Sequence, residues 1–210
     1  MRQAGSVGSN CKWTFVTPKQ IERAKRKIAD IKRTLAAEKR KFDCYDDSRG
    51  LRYLPTKYFI QLGDFAGGLA YLKWFDKNFP DDSGFPEFLF EQTIILFKSG
   101  KTKEAEQKAF QTFCSNPYWF DKYFGRPITQ LDMWHSSNLT TTDYTDALEY
   151  SSGQPELADF SVWLDKLTST NDFANRSNKY VDIYRRLKTE TDKEMRHYLV
   201  RQAYQLKQAL

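Results

Sequence analysis

Four residues constrain this chain more than any others: Gly63, Pro80, Gly100 and Pro117. The two glycines stand 37 residues apart, as do the two prolines, and 16 residues separate each glycine from its proline. Each glycine follows a run with an apolar face. Glycine ends such a helix readily, because it takes left-handed backbone without a Cβ clash. Proline stops the next run, since it has no N–H to continue the ladder. The spacing therefore predicts two helix–bend–helix units in matching register. The first joins Leu51–Gln61 to a run capped by Asp64 that carries Leu69, Leu72, Phe75 and Phe79. The second joins Pro86–Lys98, with Phe88, Leu89, Ile95 and Leu96, to Thr102–Ser115, with Ala105, Ala109, Thr112 and Phe113.

The glycines Gly63, Gly67 and Gly68 raise a second reading, a loop that cradles phosphate. Such a loop follows a buried strand and turns its amides to the ligand. Here "LPTKYFIQ" precedes it with helical periodicity, and no Gly-Lys-Ser/Thr follows. Gly68 falls where two helices must approach closely, which offsets the ~1 kcal/mol that glycine costs inside a helix. The hairpin reading is the one these residues favour.

A Gly in the bend, a small residue five positions later and a Pro closing the second helix resemble the tetratricopeptide repeat (TPR). In this sequence those positions are Gly63, Gly68 and Pro80, then Gly100, Ala105 and Pro117. The resemblance covers residues 51–117, and the period exceeds the usual ~34 by a short extension near "SGF". It implies TPR-like antiparallel hairpins in an all-α chain, with the first helix of each pair lining a surface that holds a peptide or helix of a partner. The residues offered there are Arg52, Lys57, Phe90, Glu91 and Lys98. Members that clamp a terminal carboxylate carry Lys and Asn where this chain has Tyr53 and Glu91, so that use is disfavoured. Two units fall short of the three an independent stack needs, so flanking helices must supply the caps.

Charge is concentrated upstream. The chain has a net charge of +6, and the segment Lys19–Lys41 contains ten Lys or Arg against Glu22, Asp30 and Glu38. The remainder is near neutral. "TPKQIERAKRKIADIKRTLAAEKRKF" reads as one long helix capped by Thr17 and Gln20, with Pro18 in its first turn. Ile21, Ala24, Ile28, Ile31, Leu35 and Phe42 form a narrow stripe that must dock on the body or on a second copy. Arg23, Lys25, Arg26, Lys27, Lys32, Arg33, Lys39 and Arg40 are the candidate arm for nucleic acid or an acidic partner. Base-stacking aromatics are absent from the arm, and the bland alternative is a solvated face.

Beyond Pro117, "YWFDKYFGRPITQLDMWH" is aromatic and irregular. It reads as a lid over the last hairpin in preference to an exposed contact surface. Helical periodicity returns at Pro155, again near Asp172–Leu187, and in a last helix opened by a capping box of Thr191 and Glu194. The chain thus divides into an irregular N-terminus (1–16), a basic amphipathic helix (17–43), the paired units (51–117), an aromatic-rich cover (118–154) and C-terminal helices (155–210). One globular domain is expected.

Chemistry is sparse. Cys11, Cys44 and Cys114 share no metal-ligand spacing and fit a reduced, cytoplasmic setting. No apolar run is long enough to span a membrane. Cys114 with His135 is the best nucleophile pair, and His197 is the other imidazole, but neither sits in a catalytic signature. The acid pairs Asp46–Asp47 and Asp81–Asp82 suit turns better than acid–base work. The sequence leads to a non-catalytic interaction protein without a cofactor or metal. A nucleic-acid-associated protein using the basic helix is the alternative.

Overall fold

The computed structural model describes residues 17–45 and 49–209. Among these residues the chain is helical, with no strand. Helix α1 (Pro18–Phe42) begins as its sequence requires: the Thr17 hydroxyl accepts from the Gln20 amide at 3.3 Å, and the Gln20 side chain accepts from the Thr17 amide at 2.8 Å. It ends at Asp43, the one non-glycine residue with positive φ among those described. Ala24, Ile28, Ile31 and Leu35 are buried. The stripe docks on α2 (Leu54–Leu62), where Ile28 joins Phe59 and Tyr71 in a small apolar cluster. A second copy of the chain therefore does not find this stripe open. Phe42 lies outside the contact and is 51% exposed.

Helix α3 (Phe65–Asn78) packs on α2, α4 (Pro86–Lys98) on both α2 and α3, and α5 (Thr102–Ser115) on α4. The expected helix at Leu51–Gln61 starts with a 3-10 turn, Leu51–Tyr53, before α2 proper. Gly63 and Gly100 take left-handed backbone, φ 64° and 71°, at the two bends. Asp64 caps α3 by accepting from the Gly67 amide at 2.9 Å. Gly68 is buried, and a Cβ built on it would stand 3.2 Å from Ile95, so the close α3–α4 approach depends on its missing side chain. Ala105 is fully buried in α5.

The second half of the chain folds back onto this core. Helix α6 (Trp119–Phe124) follows α5 directly, and Tyr118, Trp119, Phe120 and Tyr123 are all buried. The aromatic segment is thus a cover, not an exposed patch. Its return loop is fastened by Asn116, whose amide donates to the carbonyls of Leu139 and Thr141 at 2.8 and 3.0 Å. Helix α7 (Ala158–Thr168) packs on α4, while α8 (Asn171–Thr189) and α9 (Lys193–Gln208) pack on α5 and on each other. The Tyr180 hydroxyl donates to the Cys114 carbonyl at 2.6 Å and ties α8 to the end of α5. The cap of α9 differs from the expected Thr191–Glu194 box. Asp192 caps it, accepting from the Met195 amide at 2.8 Å, while the Thr191 amide donates to Glu190. A carboxylate at this position answers the positive end of the helix better than a hydroxyl does.

Candidate partner-binding surfaces

Helix α4 is buried on every side from Phe88 to Ile95. Its inner face, expected to line a groove, is filled by the chain itself. Phe90 sits among the rings of Tyr123, Tyr150 and Phe160, with centroids 5.0 to 5.9 Å away. Glu91 is 3% exposed, with Thr56 Oγ1 at 2.5 Å and the Tyr150 hydroxyl at 2.7 Å. Neither residue can meet a partner. The three cations expected beside them are committed as well. Lys57 pairs with Glu149 at 2.6 Å, and Lys98 pairs with Asp159. Arg52 holds Asp82 at 2.9 Å and lies over the rings of Tyr53 and Phe79. Residues 138–159, which include Tyr150, Glu149 and Asp159, occupy the face assigned to a peptide.

The Glu91 network has its own chemistry. Thr56 Oγ1 also lies 2.8 Å from the Tyr53 carbonyl, which can only accept. A hydroxyl has one proton, so Thr56 donates it to that carbonyl. The contact with Glu91 then needs a proton from the carboxyl group. Burial, countered in part by the Tyr150 hydroxyl, pushes the Glu91 carboxyl up to about 8. The protonated acid donates to Thr56 and accepts from Tyr150, which leaves every polar atom paired. Burial also raises Glu87, one turn earlier, and raises Tyr150 well above the ordinary phenol range.

The basic helix sorts its cations by direction. Lys27 lies over the Tyr58 ring and Lys32 over the rings of Phe59 and Tyr71, so their stems help to glue α1 to the body. Lys25 faces Glu22 at 3.8 Å and Lys39 faces Asp43 at 3.3 Å. The arginines behave differently. At ~100° per residue, Arg26, Arg33 and Arg40 lie within roughly 30° of the line directly opposite the buried stripe, and Arg23 stands to one side, roughly 110° from the stripe. All four are exposed. Arg33 pairs with Asp30 at 2.7 Å, and the other three have no ion-pair partner among the described residues. Lys19 and Lys41 are exposed on the same side.

The nucleophile pair is not assembled. Cys114 is buried, and that burial pushes its thiol well above its ordinary range, so it stays protonated. His135 is engaged by the Tyr118 hydroxyl at 3.0 Å, with the two rings stacked. His197 is exposed on α9. Asp82 is taken by Arg52, the Tyr53 hydroxyl and the Gly84 amide. Asp46, Asp47 and Cys11 lie outside the described residues. Among the described residues no cluster of His, Cys, Asp and Glu could hold a metal ion, and no helix is long and apolar enough to cross a membrane.

No family model, no curated protein and no solved structure matches the chain.

The filled groove had one legible signal. "FLFEQTIILF" is apolar nearly all round, the pattern of a central helix and not of one that borders solvent. The contribution of Tyr150 had none, because it arrives 59 residues after Glu91 through an irregular loop.

Proposed function

We propose that this protein is a non-catalytic holder of macromolecules. In this reading two TPR-like hairpins, α2–α3 and α4–α5, form the frame, and the outward face of α1 is the contact surface. The frame is supported by left-handed glycines at both bends and by the packing of α4 on α2 and α3. The carrying observation is the arginine stripe, which stands away from the docked face and spans ~25 Å from Arg23 to Arg40. A rigid row of exposed guanidinium groups fits a phosphate backbone. No aromatic side chain accompanies the four arginines on that face, so the reading favours sequence-independent contact with a nucleic-acid duplex over stacking on single strands.

The test is fluorescence anisotropy with a labelled 20-base-pair DNA duplex. Four phosphate contacts give a slope of ~−3.6 in log K against log salt, so affinity should fall roughly 150-fold between 50 and 200 mM salt. Replacing Arg23, Arg26, Arg33 and Arg40 together by Gln should remove most of that binding and flatten the slope, with thermal unfolding unchanged. Equal binding by the wild type and the fourfold variant, or none by either at 50 mM salt, sinks the proposal.

A further inference from the structure

A cavity of about 460 Å³ opens between the end of α3, the loop after it, α4, α5 and α9. It lies in the size range of small-molecule sites. Phe75, Phe79, Phe88 and Leu89 supply an apolar wall. Lys108 of α5 and Lys207 of α9 also line it, and neither side-chain amine has an ion-pair or hydrogen-bond partner among the described residues. Burial holds both amines below their ordinary range, and Lys207 lowers Lys108 further by charge repulsion. Two half-buried amines lining one space favour an anion there.

A third group is open in the same place. Gln92 is 4% exposed and lines the cavity, and its side-chain amide has no hydrogen-bond partner among the described residues. An unpaired amide beside a cavity can pair with a ligand or water. The carboxylates at the cavity set the ligand's charge. Asp82 is already held by Arg52 and Tyr53, and Asp81 is exposed at the rim. Asp76 acts on Lys108 as an opposite charge and would repel a second negative charge close by. The arrangement suits one negative charge, not two.

We infer that this cavity binds an organic monocarboxylate with an apolar body. The carboxylate lies between Lys108 and Lys207 and accepts from the Gln92 amide, and the body rests on the phenylalanine wall. Charge-assisted hydrogen bonds of this kind are among the strong ones. The site is separate from the outward face of α1 and does not depend on it.

The probes are 4-phenylbutyrate, its neutral amide and inorganic phosphate, each titrated into the full chain at constant ionic strength and followed by calorimetry and by the side-chain amide resonance of Gln92. Saturable binding of phenylbutyrate is expected, with at least a tenfold loss for the amide and for Lys108→Met and Lys207→Met. Both variants should keep their thermal unfolding temperature, since each removes a half-buried amine that has no ion pair among the described residues. Should either variant fail to fold, the wild-type Gln92 resonance decides alone, moving with the acid and not with the amide. Absence of saturation by phenylbutyrate overturns the assignment. So does equal binding of the amide, tighter binding of phosphate, or undiminished binding by folded lysine variants.

Discussion

Replacing Glu91 by Gln should stabilise the protein, increasingly so as pH rises. In the unfolded chain this carboxyl titrates at 4.5, and in the folded one at about 8. Between those values the folded state keeps a proton that the unfolded state releases, so stability falls as pH rises through the window. Each unit of difference is worth ~1.4 kcal/mol. Measured as the Glu91→Gln variant minus wild type, the gain is then under ~1 kcal/mol at pH 5, about 3 at pH 7 and about 5 at pH 8.5. Glutamine keeps the pairing of the protonated acid: its N–H can donate to Thr56, and its carbonyl can accept from Tyr150. The assay is urea unfolding of both proteins at the three pH values, followed by circular dichroism. A difference that stays flat from pH 5 to 8.5 would show that Glu91 is ionised in the folded chain, and the proton assignment at Thr56 would fall with it.

Further substitutions probe the same frame by urea unfolding. Tyr150→Phe removes the donor to a buried carboxyl oxygen and should cost ~1–3 kcal/mol at pH 5. Gly63→Ala and Gly100→Ala meet no atom within 4 Å, so each should cost only the ~1–2 kcal/mol of left-handed backbone. Gly68→Val drives a side chain into Ile95 and should cost ~1–3 kcal/mol, partly restored by adding Ile95→Ala. Asp192→Ala should cost ~1 kcal/mol through loss of the α9 cap, while Thr191→Ala should change stability by less than ~0.5.

Local punctuation was readable in the sequence because its causes are local. Thr17 with Gln20, Asp64 with Gly67, and the glycine bends all act within five residues, and each stands as its sequence implies. The limits of α4 and α5 follow from the same kind of signal. The candidate groove was not readable, since its fate depends on residues far along the chain. Glu149 and Tyr150 approach Lys57 and Glu91 through a segment with no periodicity of its own, and Asp159 reaches Lys98 from the first turn of α7. Spacing marked Arg52, Lys57 and Lys98 as positive groups but could not show that each already has an acid. The division of α1 into lysines that lie on rings and arginines that face outward was present in the helical angles. It becomes meaningful only once the docked side is known.

The central position of α4 limits what can be cut from this protein. Phe90 and Ile94 share one core with Tyr123, Tyr150, Phe160 and Leu164, so residues 51–117 complete their interior with side chains from the other half. Taken out by themselves, helices α2 to α5 would present that bare apolar surface to water. They resemble interchangeable modules in sequence, yet they could not be transplanted into another protein, or trimmed down to a minimal binder, without carrying the C-terminal half along.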